Sequence, residues 1–433
     1  MKPLMLYAGT TFTTAGIAFG TFFLLTHHLT AADYGIIHTY NACCLLLSSV
    51  TGLGVQVLQG VDYFHAGPDQ FRLRFRSAMM LPAAATLLAT AVLFPFSGAL
   101  AAWLQIDRVF TLTLPLVCLF LIVNDVFLIQ LRNRGFAASF AALSVGKSVL
   151  EAGLTLLLVI GAAMAWRGRL IGTVGGLLLG LLAALWLVRR WRLWDGGLEQ
   201  GAWKAQLREG LPFVPERLSV VVLAFSDRLF IAHFAGLDEV GYYSAGMQVA
   251  MVLRLGLLAL VAVSEPAILQ ALAPAANNRV ALWRINYRFL LVAALAAALL
   301  IIVAPFLFRQ LLGAAFAGGQ TYVLLLTLGM LAAGVHMLLT AYLLALKKGK
   351  PLMAISLCGM VLSLLLNYLL VRRWGSFGVA CANLVVHSAM MLISLYFVHR
   401  YVGLRRLFLP GSRPLPAGTE NRQDPAPTDG RSG

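Results

Sequence analysis

The chain has 433 residues, 60% of them hydrophobic and 12% charged, and its mean hydropathy is +0.84. A water-soluble fold cannot hide that much apolar surface, whereas a bilayer accepts it, because a helix satisfies its own backbone groups. The net charge of +16, from 33 Lys and Arg against 17 Asp and Glu, is what the short cytoplasmic turns of a multi-span protein carry; it is not read as a nucleic-acid surface.

Apolar windows predict spans at about 4–27, 35–61, 77–104, 109–130, 137–165, 170–188, 211–234, 240–272, 285–308, 320–346, 352–371 and 376–399. The expected fold is therefore an all-α polytopic membrane protein with about twelve transmembrane helices. Met1-Lys2-Pro3 leads straight into the first span, with no small-residue cleavage site, so this segment reads as a helix and not as a removed signal. Placing the N-terminus inside puts about 17 Lys and Arg in the inner turns and about six in the outer ones. That asymmetry predicts cytoplasmic N- and C-termini.

The longest interruption is residues 189–210, RRWRLWDGGLEQGAWKAQLREG. It is basic and tryptophan-rich, and reads as a cytoplasmic linker anchored at the membrane surface by Trp191, Trp194 and Trp203. It separates an N-terminal six-helix bundle, 1–188, from a C-terminal one, 211–402. The tail, 403–433, is rich in Pro, Gly and polar residues and is expected to be disordered. The five cysteines all lie in apolar runs without zinc spacing, and no disulfide framework is expected.

The halves read as weak copies. HHLTAADYGIIHTYNA follows span one and AHFAGLDEVGYYSAGM follows span seven; in each, a short turn with an Asp leads to a Gly, Gly35 or Gly241, that opens the next helix. The basic inner turns LRNRGFAAS and LKKGKPLMA also correspond, as do the positions of Glu151 and Asn367. Two pseudo-symmetric bundles of parallel orientation are a transporter architecture with a path between them.

Charges inside the spans cost about 2.5–3.5 kcal/mol each on insertion scales and need a reason. Glu216, Arg217, Asp227 and Arg228 lie on span seven, with eleven residues between like charges; Arg254 and Glu265 repeat that spacing on span eight. Eleven residues are close to three turns. By depth, Arg217 can meet Glu265 and Asp227 can meet Arg254, either as fixed ion pairs or as walls of a polar path. Lys147 and Glu151, four apart on span five, can pair. Asp125 either pairs with Arg132 or Arg134 or, kept from water, serves as an ion-coupling site. Its own helix offers no cation before Arg132. Asn367 either lines the path or bridges helices. His38, His336 and His387 either face a cavity or pack between helices.

Three segments resemble the polysaccharide-transport flippases of the multidrug/oligosaccharidyl-lipid/polysaccharide exporter superfamily. They are GLPFVPERLSVVVLAFSDRLFIAHFAGLDEVGYYSAG (210–246), LSLLLNYLLVRRWGSFGVACANLVVH (362–387) and LTAADYGIIHTYNA (29–42). The resemblance implies a flippase of the bacterial inner membrane that moves an undecaprenyl-diphosphate-linked oligosaccharide, such as an O-antigen or capsule unit, by alternating access. It implies a substrate cavity drawn from Arg217, Arg228, Arg254, Asp227, Glu216, Glu265, Lys147, Glu151 and Asn367, since arginine forks suit a diphosphate. Partners would be the lipid-linked oligosaccharide, the bilayer and other polysaccharide-assembly membrane proteins. With no P-loop, catalytic triad or metal motif, neither enzyme activity nor a cofactor is expected; energy would come from a proton or sodium gradient, or from substrate consumption outside. Two alternatives stand beside this reading: a cation-coupled multidrug antiporter of the same superfamily, whose cavity would be acidic, and a multispan glycan polymerase or ligase, which would need larger outer loops.

Overall fold

The computed structural model describes residues 2–65, 67–195, 201–272, 279–346 and 348–403. The predicted tail from 404 onward, Lys347 and linker residues 196–200 lie outside the described residues. Thirteen α-helices are described: α1 (Lys2–Leu25), α2 (Ala31–Thr51), α3 (Val55–His65), α4 (Pro68–Leu104), α5 (Arg108–Asn133), α6 (Ala137–Leu156), α7 (Ala165–Arg190), α8 (Ala202–Gly210), α9 (Phe213–Phe234), α10 (Leu237–Leu272), α11 (Arg279–Gln310), α12 (Gln320–Ala345) and α13 (Gly349–Tyr401).

Local chemistry sets the boundaries. Thr30 and Asp33 form a reciprocal cap at the start of α2: the Asp33 amide donates to the Thr30 hydroxyl at 3.1 Å, and the Thr30 amide donates to the Asp33 carboxylate at 3.0 Å. The window expected as one span at 35–61 is two helices bent by 52°. The chain turns at Leu53 and Gly54, with φ of 47° and 73°. At Gly375 (φ 57°, ψ −143°) α13 breaks, between the two spans expected there. Only glycine adopts that backbone at no steric cost. The helix α7 presents a row of glycines to α6 and α5. A Cβ on Gly172 would overlap Thr155, one on Gly176 would crowd Glu151, and one on Gly180 would overlap the Asn124 amide. Small residues at this spacing let helices approach closely where lipid offers no hydrophobic drive.

Among the described residues nine helices are long and apolar enough to cross a membrane, or ten with the bent α2–α3 pair. The chain is an all-α polytopic membrane protein. The difference from the twelve expected spans has two sources: α9, with Glu216, Arg217, Asp227 and Arg228 in 22 residues, is not among the nine, and α13 is a single 53-residue run across its break.

Helices α1–α7 pack mainly on one another, as do α9–α13, and the seam between them is α2 against α9 and α10. One end of the seam carries the turns after α1 and α9 and the Gly375 break. There Phe22, Leu25 and Tyr34 share a buried apolar cluster with Ala245, Phe308 and Phe316. Backbones also touch. A Cβ on Gly35 would overlap the Leu237 carbonyl, one on Gly241 the Ala31 carbonyl, and one on Gly313 the Thr26 carbonyl. The first two contacts are reciprocal, each glycine meeting the residue four positions before the other. We call this the sealed end.

The opposite, linker end is built differently. Its buried residues form two separate clusters, one around Phe75, Phe127 and Leu187 from the first group of helices, the other around Ile268, Leu282 and Val398 from the second. The short α8 docks on the first group, where Asp62 of α3 accepts from Arg74 at 2.8 Å and from Gln206 at 3.1 Å. The α2–α3 corner at Gly54 meets Gly210 backbone to backbone.

Candidate functional site

The intramembrane charges pair differently from the expectation. Arg217 of α9 reaches Asp125 of α5 at 2.9 Å, not Glu265. Asp227 does not meet Arg254; it pairs with its own neighbour Arg228 at 2.6 Å and accepts from the Tyr243 hydroxyl at 2.6 Å. Depth along a helix is readable from sequence, but the direction each side chain leaves the axis depends on neighbours that sequence does not name. Here the Asp227 carboxylate also accepts from the Arg228 amide at 2.9 Å, which folds it back along its own helix.

The Asp227–Arg228 pair is buried, with side chains 6% and 5% exposed. Arg228 also donates to the Ala224 carbonyl at 2.6 Å, and its Nε has no partner. It is therefore a built-in charge pair of the second group of helices, with one donor unspent. The Asp125–Arg217 pair is half-exposed and joins the two groups on the linker side of the seam. Arg217, not Arg132 or Arg134, is the cation beside Asp125. Asp125 has no cation on its own helix before Arg132, but α9 supplies Arg217, so the carboxylate is not isolated.

Glu151 likewise takes a partner other than Lys147. Arg169 of α7 reaches it at 3.0 Å, and Thr173 donates to it at 3.2 Å. Lys147 lies within electrostatic reach of Asp125 instead. Arg169 also donates to Thr155 at 3.2 Å. It lines a cavity of about 100 Å³ beneath the sealed end, together with Thr21, Tyr34, His38, Asn41 and Gln248.

Arg254 lies halfway along α10. Among the described residues it has no ion-pair partner, and Arg228 and His387 lie within its electrostatic reach. His336 of α12, also near His387, is held by Ser394 of α13 at 2.8 Å. Glu216 is exposed and Glu265 half-buried, both toward the linker end of their helices; neither has an ion-pair partner among the described residues. Asn367 is buried and donates to Ser363 on its own helix at 3.3 Å. Beside Arg254 on α10, residues Leu253, Gly256, Leu257 and Leu260 face Val292, Ala296 and Leu300 of α11 across a wholly apolar cleft of about 470 Å³.

The sequence profile of one protein family matches residues 2–272, which hold the whole first group of helices, α8, α9 and α10. The chain belongs to the polysaccharide biosynthesis protein family. A second profile, MatE, matches residues 212–369. No curated protein matches the sequence. Among solved structures, the inward closed form of the lipid II flippase MurJ shares 13% identity at a TM-score of 0.72, covering 93% of this chain and 91% of that one. An inward-facing multidrug resistance MATE transporter of the MOP superfamily shares 14% at 0.70, covering 91% and 94%. An outward-facing multidrug MATE structure of the same superfamily shares 16% at 0.56, covering 94% and 93%. At these identities the likeness establishes a common MATE/MurJ-like fold.

Within this polysaccharide biosynthesis family chain, Arg169, Asn41 and Gln248 are polar interior residues that the sequence did not flag. By hydropathy Arg169 belongs, with Arg108, Arg167, Arg309, Arg372 and Arg373, to the six cations expected in outer turns. Arg167, in the first turn of α7, does lie at that edge, paired with Asp107 at 2.7 Å, but two residues on the Arg169 side chain turns inward to Glu151 at 3.0 Å. The signal that could have found it is the glycine row that follows: the face of α7 pressed on α6 is the face Arg169 shares.

Proposed function

We propose that the protein is an alternating-access flippase for a lipid-linked oligosaccharide with an anionic, phosphate-bearing head. In this reading the chain crosses the membrane twelve times in two six-helix bundles, 1–188 and 211–402. The α2–α3 pair counts as one crossing, α9 as another, and α13 as two. In the same reading the linker end is cytoplasmic with both termini inside, which the excess of Lys and Arg there supports.

The observation that carries the reading is Arg254. A guanidinium at mid-span without a carboxylate partner is costly unless something anionic visits it. Drug antiporters of cationic compounds would need the reverse, an unpaired acid at mid-span; of the candidate acids, the two without an ion-pair partner among the described residues, Glu216 and Glu265, lie toward the linker end of their helices. The apolar cleft beside Arg254 supports the same conclusion: an amphiphile can keep its head near Arg254 and its tail against α10 and α11. The profile match to a polysaccharide biosynthesis family agrees. The MatE match over 212–369 and the shared fold favour a second reading, drug antiport, and the test includes it.

The experiment is a flipping assay in vesicles, with a polyprenyl-diphosphate oligosaccharide whose head is followed by an impermeant reagent. The intact protein should equilibrate the lipid, and Arg254→Ala should slow it by about tenfold or more, the loss expected for a charge-assisted contact. Arg254→Lys should recover part of the rate, because a point charge loses paired donation. Unchanged flipping in Arg254→Ala, or transport of a cationic dye in place of the lipid, overturns the reading.

A further inference from the structure

A second basic site lies away from the seam, at the linker end of the first group of helices. The ends of α3, α5 and α7 and the start of α4 enclose a pocket of about 400 Å³ lined by Tyr63, Phe71, Arg72, Arg134, Trp191 and Leu193, with Phe64 at its rim. Among the described residues no carboxylate lines it. The Arg134 guanidinium stacks over Trp191 at 4.0 Å and lies 5.4 Å from the Tyr63 ring. Phe136 packs parallel to Trp191 at 6.2 Å. Arg134 has no ion-pair partner among the described residues, and its Nε is buried without a hydrogen bond. The second cation, Arg72, spends itself only on a fully exposed neighbour, Asp69, at 3.3 Å.

Aromatic faces hold a guanidinium flat and leave its edge donors free. Two such cations facing one pocket repel each other unless an anion sits between them. Partial burial, and to a lesser degree the nearness of Arg72, hold Arg134 below the usual arginine range, while Tyr63 acts the other way. A bound anion would relieve that cost. The pocket walls are aromatic, and the Phe64 side chain stands 67% exposed beside it. Charge at the floor and apolar surface at the rim fit an amphiphile better than a soluble ion.

We propose that this pocket binds the phosphate of an anionic lipid headgroup from the adjacent leaflet, gripping it between Arg72 and Arg134 against Trp191. Such a headgroup would tie the ends of α3, α4, α5 and α7 together where the first group of helices has its own core. The proposal does not rest on the transport reading; it needs only that the linker end lies at a membrane surface.

The test uses the full chain purified in detergent. Native mass spectrometry counts retained lipid after exposure to phosphatidylglycerol or phosphatidylcholine. The intact protein should retain phosphatidylglycerol at least about fivefold better, a difference of about 1 kcal/mol. Arg134→Ala and Arg72→Ala should each lose that preference, whereas Arg132→Ala, an exposed arginine on the same helix end, should keep it. Arg72→Ala guards against misfolding, since Arg72 is part-exposed and its only ion pair is with the exposed Asp69. Equal retention of the two lipids, or a preference unchanged in both pocket variants, overturns the proposal. Displacement of phosphatidylglycerol by millimolar inorganic phosphate would assign the pocket to a free phosphate and overturn the lipid source.

Discussion

The two ends of the seam are held by different physics. At the sealed end the halves share one dry cluster, and backbones touch at Gly35, Gly241 and Gly313. At the linker end each half keeps its own core, and among the described residues one half-exposed ion pair, Asp125–Arg217, bridges them beside the α2–α9 packing, while the Gly54–Gly210 contact holds α8 to the α2–α3 corner. Dispersion and apolar contacts fall away within about an ångström of separation, so the sealed end yields only as a unit. In the proposed cycle, an ion pair between separate cores can part and re-form as the halves rock. The conformation is thus closed where packing is shared and loosely tied where it is not.

The largest effect should come from breaking the sealed end. Gly241→Val puts a branched side chain where the Ala31 carbonyl lies, and Gly35→Val does the same at Leu237. Overpacking of this kind costs about 1–3 kcal/mol, here borne only by the conformation in which the seal is shut. Both variants should insert normally, lose most flipping activity, and label more readily at a cysteine placed at Thr26. Wild-type labelling and flipping in both variants would remove the seal from the cycle.

A smaller loss is expected from the linker-end anchor. Asp62 is buried and holds both Arg74 and Gln206, so Asp62→Ala strands the partners and should release α8. Because Arg74 is itself about a third exposed, the cost should be nearer 1–2 kcal/mol than the full penalty of a buried pair. Protease cleavage within 201–210 should speed up by roughly tenfold, with the seal unchanged. Equal cleavage rates in Asp62→Ala and wild type would show that α8 is held by other contacts.

Much of this architecture is legible in the residues. Twelve apolar windows lie close to the helices observed, and the repeated turn motifs pointed to Gly35 and Gly241, which meet each other's helices at the seal. The charges were legible as a set but not as pairs. Periodicity gives depth and relative face along one helix; it does not give the rotation of that helix against others, so Arg217 went to Glu265 instead of Asp125. The corner at Leu53–Gly54 was missed for a related reason: apolar composition continues through it, and only backbone geometry marks it. Asp62 was passed over because an acid near a basic turn looks solvated unless the docking of α8 is known.

The smallest and most discriminating effect concerns Asp125 and Arg217. The side chains are 46% and 31% exposed, so water screens them and the pair should contribute no more than about 0.5–1 kcal/mol to stability. Its effect lies in the balance between conformations, where even that much shifts a two-state population severalfold. Asp125→Asn and Arg217→Gln should each leave thermal unfolding nearly unchanged, while increasing cysteine accessibility in the cleft from the linker end by about two- to fivefold. The exchanged pair, Asp125→Arg with Arg217→Asp, should restore the wild-type value, because the attraction between the halves does not depend on which one supplies the cation. If Asp125 instead carries the coupling ion, the exchange cannot rescue: accessibility would return but flipping would no longer follow the ion gradient. Measuring both quantities on the four proteins separates a latch from a coupling site, and no change in accessibility in either single variant would mean that the linker end is held by the α2–α9 packing alone.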